Sequence, residues 1–223
     1  MNITTGISTL SELITQQISN NFLITSQEKE DLARCLDPSL VRLTSCFREI
    51  SNKYYSNDHN ATIFNPYHSG QHTTFLYFLS CEAAALGKTT LADKIYYLNR
   101  MMNGLDLFYH TKLSEVFFMD HPLGSILGRA TYGNHFVFNQ QCTVGGNHDV
   151  YPILGNYVTL FAGASVIGRC QVGNNVFVSA GAYIKDENIP DNSIVFGRSP
   201  RLVIKQKPLA YFYEPSPFKC HHE

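Results

Sequence analysis

One histidine flanked by acidic residues has the chemistry to move a proton. Asp120 immediately precedes His121, and Asp106 lies fifteen residues upstream of it. Histidine titrates near neutral pH, so it can take the proton of a hydroxyl as that hydroxyl attacks. A carboxylate held against the imidazole fixes its tautomer and stabilises the charged ring. The same residue types also fit plainer roles: a histidine capping a turn, or an aspartate following a helix end at Gly104-Leu105. Metal ligation is a third use, with His121, His135 and His148 as candidate ligands and His68/His72 at i, i+4 spacing. A second polar cluster, Gly145-Gly146-Asn147-His148-Asp149-Val150-Tyr151, is rich in glycine and separates two apolar stretches.

The element that must carry these residues repeats every six positions. Apolar residues fall at Leu154, Leu160, Val166, Val172, Val178 and Ile184, and a second set at Val158, Ala164, Cys170, Val176 and Ala182. Neither a strand nor a helix gives a period of six. A chain winding around a triangular prism does, with a short strand on each side, which is the signature of a parallel β-helix. The period runs back through Ile126, Tyr132, Phe138 and Val144, with Ala130, Phe136 and Cys142 in the second set. Between Val144 and Leu154 the step is ten, so one corner carries about four extra residues: the cluster at 145–151. Residues fifteen to eighteen apart stack on neighbouring coils, which makes contact between Asp106 and His121 geometrically reasonable. Solenoids of this kind rarely hold a catalytic site inside themselves, and their chemistry lies in clefts between subunits.

The first hundred residues read as helices. Leu13, Ile14 and Ile18 have helical spacing. Thr25-Ser26 ahead of Gln27-Glu28 looks like a capped start leading into Leu32 and Leu36. Asp37-Pro38 is expected to open a further helix bearing Leu40, Leu43, Phe47 and Ile50, and 74–86 and 89–102 are two more, joined at Gly87-Lys88. The fold class is therefore α+β: a helical domain over 1–104, a β-helix over 105–208, and a polar, mobile tail over 209–223. The formal net charge of −1, without basic runs, argues against a nucleic-acid surface. Met1–Ser8 lacks the pattern of a secretory leader, and no apolar run reaches membrane-span length. Cys35, Cys46, Cys81, Cys142, Cys170 and Cys220 form no CxxC pair and read as thiols of a reducing cytoplasm.

Several segments resemble the serine acetyltransferase family over roughly 65–208. Asn65-Pro66 ahead of Phe75-Leu76-Tyr77 is similar to that family's Asp-Pro segment before its Leu-Leu-Tyr helix. Met119-Asp120-His121 with Gly124 resembles its Leu-Asp-His-Ala-Thr-Gly stretch, and Thr143-Val144-Gly145-Gly146 its Thr-Leu-Gly-Gly. Ala162-Gly163-Ala164 and Ser179-Ala180-Gly181 resemble its Gly-Ala-Gly turns, and Phe196–Pro200 the closing segment of hexapeptide acyltransferases. The resemblance implies a left-handed β-helix, a homotrimer or dimer of trimers, and transfer of acetyl from acetyl-CoA to a hydroxyl, with no metal. It implies His121 as base, Asp106 as its orienting carboxylate and Asp120 on the acceptor side. The Gly146 amide would face the oxyanion. Acetyl-CoA would lie along Gly145, Ala162 and Ala180, with Arg198 and Lys205 towards its phosphates.

Three departures bear on the acceptor. Asn65 stands where the family has an aspartate that answers an amino group. Val150-Tyr151-Pro152 replaces Arg-His-Pro, whose arginine answers a carboxylate, leaving His148 and Tyr151 as acceptor contacts. The chain ends in Glu223 rather than the isoleucine that docks cysteine synthase, so that partnership is not expected. The expected acceptor is accordingly a small neutral polyol, a sugar or polysaccharide unit, with L-serine as the alternative. A metal-dependent hydratase of the same fold and a non-catalytic trimeric scaffold rank lower.

Overall fold

The computed structural model describes residues 1–57 and 59–219; Asp58 and 220–223, with Cys220 and Glu223, lie outside the described residues. The chain divides into two compact units, Met1–His110 and Thr111–Glu223. The short strand Asp106–Leu107 falls in the first of them.

The first unit is built on four helices: α1 (Ile7–Ser19), α2 (Ser26–Arg48), α3 (Ser69–Ala85) and α4 (Thr89–Asn103). The start of α2 is a full capping box, with the Thr25 hydroxyl accepting from the Glu28 amide and the Glu28 carboxylate from the Thr25 amide. The two helices expected on either side of Asp37-Pro38 are one, because α2 runs through Pro38. A continuous buried stripe, Leu32, Cys35, Leu36, Leu40, Leu43 and Phe47, outweighs the hydrogen bond lost at the proline. The expected start of α3 at Thr74 moves back to Ser69, capped by the His68 ring, whose Nδ1 accepts from the Gln71 amide. Helix α3 is buried on every side between 70 and 80, between α2 and α4. Its polar groups are bonded in place, for example by Asn99 Nδ2 donating to the Thr73 carbonyl at 3.0 Å. Helix α4 ends where Gly104 takes a left-handed conformation, φ 62°.

The second unit is a parallel β-solenoid with three sides. Side one carries the strands Phe117–Met119, Phe136–Phe138, Val158–Leu160, Val176–Val178 and the first half of Ser193–Arg198. Side two carries Ile126–Leu127, Thr143–Gly145, Ser165–Ile167 and Tyr183–Lys185, and side three Thr131–Tyr132, Ile153–Leu154, Gln171–Val172 and Asn188–Ile189. The hexapeptide positions point inward as expected from Tyr132 to Ile184. At the start the phase slips by one: Leu127 is buried and Ile126 is 49% exposed. The reason is a corner of unusual length, described below. Where side three meets side one, the corners stack so closely that a Cβ on Gly155 would lie 2.7 Å from the carbonyl oxygen of Gly173. Asn134, Asn156 and Asn174 form a ladder there, each backbone amide donating to the next coil's side-chain oxygen at 2.7–2.9 Å.

After the last coil, Ser193–Arg198 pairs antiparallel with Arg201–Gln206. The segment read from sequence as a polar, mobile tail then packs back on the solenoid: Phe212 and Phe218 are 3% and 4% exposed. Phe212 lies edge-on to Phe177, 4.8 Å between ring centroids, and Phe218 edge-on to His135 at 4.8 Å. The tail's aromatic residues cover an apolar outer row on side one that alternation along the strands leaves facing outward.

Two outcomes follow from this packing. Gly155→Ala is expected to destabilise the solenoid by about 1–3 kcal/mol, read as a lowered midpoint in urea unfolding. His72, 3% exposed on α3 beside Gln17 Oε1 at 3.1 Å, has its pKa pushed down by burial to about 4 from an ordinary 6.5. Folded His72 therefore stays neutral while the unfolded chain takes up a proton below pH 6.5, so stability falls as pH drops from 6.5 towards 4. The loss is on the order of 3 kcal/mol, and His72→Gln removes most of the slope between those values.

Candidate functional site

The corner joining sides one and two is wider in the first coil than below it. From Met119 to Ile126 it takes seven steps, whereas from their register partners Phe138 to Thr143 it takes five. The two extra residues push Asp120–Gly124 outward. The wide corner is fixed from beneath by Ser125, whose buried hydroxyl donates to the Asn139 carbonyl at 2.8 Å and accepts from the Cys142 amide at 3.0 Å. His121 sits on this bulge with φ 50° and its side chain 88% exposed. A positive φ is uncommon for a residue with a Cβ and marks a position held by its surroundings. Its Nε2 lies 3.7 Å from Asp120 Oδ1, and the other oxygen of Asp120 accepts from Asn139 Nδ2 at 2.8 Å. The imidazole thus stands in solvent, beside a carboxylate that is itself anchored.

Below His121 the same corner forms a straight column. Gly163 N donates to Gln140 O and Gly181 N to Ala162 O, both at 2.9 Å. Ala162 and Ala180 are therefore stacked coil upon coil under the histidine, and the column ends at Gly197-Arg198. Arg198 lies with its guanidinium 4.9 Å from the Tyr183 ring centroid, and Lys205 Nζ 5.7 Å from that of Phe196. Both cations are exposed on the terminal hairpin.

The insertion is a second, separate feature, at the corner between sides two and three. It is a miniature hairpin: Asn147 and Val150 exchange backbone hydrogen bonds at 2.9 and 3.1 Å, and the tip residues His148 and Asp149 have φ 49° and 57°. Two positive φ values at the tip of a two-residue turn match the twist of the flanking strands. The hairpin is tied down by Asn147 Nδ2 donating to Asp186 at 2.9 Å. Arg169's amide also donates to that carboxylate, and these bonds hold Asp186 below its ordinary pKa. Gly146 is glycine for an internal reason, since a Cβ there would lie 2.7 Å from the Tyr151 ring. Gly145 lies on the side-two strand at the foot of the hairpin.

Within one copy of the chain the insertion does not face His121. They occupy different corners, separated by the width of side two. His121, His135 and His148 stand at three different corners. His72 is in the helical core, where the His68 ring caps α3. Among the described residues, no group of three potential metal ligands is found.

Asp106 and Asn65 belong to the helical unit. Asp106 accepts from the Tyr96 hydroxyl at 2.6 Å, with Arg100 Nη2 3.6 Å away. Burial, and then Asp106, raises the pKa of Tyr96, so this phenol remains a proton donor to the carboxylate. The Asn65 side-chain oxygen is engaged locally, accepting from the Tyr67 amide at 2.9 Å and from the Thr4 hydroxyl at 3.4 Å.

Sequence reasoning missed two features. One is a cavity of about 150 Å³ on side one, with Asp120 and Asn139 at its polar end, the His135–Tyr157 stack on one wall and Phe212 and Phe218 of the tail on another. The aromatic residues at 211–213 and 218 were its only signal. The other is Arg129, whose guanidinium lies 5.8 Å from the Tyr151 ring centroid. The spacing did hold a signal: Tyr132 and Leu154 are register partners, so Arg129 and Tyr151, each three residues earlier, fall at the same corner of successive coils.

No family model matches the chain. Over 114 residues the chain is 30% identical to the serine acetyltransferase of Synechococcus elongatus, covering 49% of this chain and 46% of that protein. Over 144 residues it is 26% identical to the serine acetyltransferase of Staphylococcus aureus, covering 62% and 67%. The match thus spans about half the length of the first relative and two thirds of the second. The crystal structure of a Brucella abortus serine acetyltransferase in complex with coenzyme A is similar in fold: TM-score 0.61, 20% identity, 80% of this chain and 74% of that one covered. In the described residues no helix is long and apolar enough to cross a membrane. The hexapeptide solenoid, the histidine on its first corner and these likenesses agree: the chain is similar to serine acetyltransferases over its matched segment and shares their parallel β-helix fold.

Proposed function

We propose that the chain is an acetyl-CoA-dependent O-acetyltransferase whose acceptor is the hydroxyl of L-serine. The observation that carries the reading is His121 on a widened, solvent-facing corner at the head of the column that leads through Ala162 and Ala180 to Arg198. Four coil spacings separate the ends of that column, roughly 19 Å at about 4.8 Å each, the scale of a pantetheine arm. A thioester at the top and phosphates near Arg198 and Lys205 fit this length. The names of the relatives favour serine over the sugar acceptor expected from sequence. Coenzyme A is bound by a protein of the same fold.

In this reading His121 removes the hydroxyl proton of serine as its oxygen attacks the thioester carbonyl carbon. The tetrahedral oxyanion meets backbone amides, Gly146 among them. Its collapse breaks the carbon–sulfur bond, and the imidazolium returns the proton to the departing thiolate. Asp106, the orienting carboxylate that the family resemblance implies, has its own charge supported by Tyr96 and Arg100. Asp120 answers the ammonium of serine, and His148 and Tyr151 complete the acceptor side. Because His121 and the insertion lie at different corners, the site is assembled between copies, in a trimer or dimer of trimers.

One observation favours a second reading, a sugar hydroxyl as acceptor. The cavity beside Asp120 has the volume at which a protein interior holds one six-membered ring, and its walls are aromatic.

The test is thiol release from acetyl-CoA with L-serine against a panel of hexoses and nucleotide sugars. The expected result is turnover with serine, and His121→Ala lowering kcat by about 10²–10⁴-fold. A His121→Ala enzyme at full rate sinks the mechanism, and turnover with sugars alone replaces serine by the second reading.

A further inference from the structure

We infer that Arg129 reads the carboxylate of the amino-acid acceptor, supplied by the copy of the chain that faces the reacting His121. The inference rests on the serine reading above. An amino acid brings a carboxylate into the site, and a buried or half-buried carboxylate needs a cation or several donors. The insertion at 145–151 contains neither arginine nor lysine. The tertiary structure supplies one from the preceding coil, at the same corner. The Tyr151 ring lies close to the bare α-carbon of Gly146, and the guanidinium of Arg129 stands over it, 5.8 Å from its centroid. An arginine held against a ring keeps its planar edge of N–H donors available, and that edge matches a carboxylate in a two-bond fork.

Two further observations select Arg129. It is exposed, and among the described residues no ion pair involves it. Arg169, the other arginine of this corner, is one coil below the insertion and two below Arg129, beside Asp186, which is bound by Arg169's own amide. Distance then requires two copies. One side of the prism is about five residues, roughly 16 Å at 3.3 Å per residue, more than a serine can bridge. His121 and Arg129 of a single chain therefore cannot hold the same molecule. Two chains packed corner against corner can.

The experiment compares L-serine with L-serinamide, which keeps the hydroxyl and the amine but has no carboxylate. Wild type, Arg129→Gln, Arg129→Lys and Tyr151→Leu are assayed with both acceptors, and coenzyme A binding reports that each variant is folded. Arg129→Gln is expected to lower kcat/KM for L-serine about 10–100-fold and to leave that for serinamide nearly unchanged. Arg129→Lys recovers part of the loss, and Tyr151→Leu, which removes the platform, shows a smaller loss of the same kind. Equal losses with both acceptors, or no loss with L-serine, overturn the inference while the serine reading stands. A wild type that acetylates sugars and not L-serine defeats the serine reading first, and the role of Arg129 falls with it.

Discussion

The backbone of each coil is hydrogen-bonded to the next, and this stacking admits nothing between coils. Each corner must therefore turn in nearly the same place as the corner above it. The Asn134–Asn156–Asn174 ladder and the bare α-carbon of Gly155 against the Gly173 carbonyl are the local cost of that fit. A column so constrained tolerates extra residues only by pushing them outward. The chain does this twice, at the corner bearing His121 and at the hairpin 147–150. Both candidate functional features are thus displacements from a rigid lattice, and each is tied down by its own small network: Ser125 under the first, Asp186 under the second.

This arrangement gives the candidate histidine an unusual kind of support. His121 is exposed, but the corner beneath it is buried and bonded, so the ring is presented without being enclosed. Enclosure would have to come from another surface. A solenoid side separates His121 from the insertion, so the two stand at different corners of a single copy.

Much of the fold was legible in the sequence because burial enforces a period. Inward positions from Tyr132 to Ile184 are apolar in a strict rhythm, and the ten-residue step at Val144–Leu154 marked the insertion at 145–151, within which the hairpin 147–150 forms. Where the rhythm misled, a local bonding detail had intervened. The long first corner shifted the phase so that Leu127, not Ile126, points inward. Pro38 looked like a helix start because proline favours that position, yet the apolar stripe of α2 continued on both sides of it. The tail was read as polar from its average composition, whereas its few aromatic rings decide where it goes.

For the candidate site the division is similar. The types and order of Asp106, Asp120 and His121, and the absence of any cation from the insertion, are properties of the chain as written, and they suggested proton transfer and a change in acceptor recognition. The sequence alone thus determined the solenoid, its interruption and the reactive residue types, since each follows from periodicity or from side-chain chemistry. Only the tertiary structure decided which groups stand together: Asn139 holding Asp120, Tyr96 holding Asp106, Arg129 over Tyr151. Those pairings join residues separated by 10 to 22 positions, on neighbouring coils or a neighbouring helix. Coil spacing brings the backbones of such pairs to one corner, but it does not say which side chains touch, because side-chain direction is fixed only when the coils and helices pack.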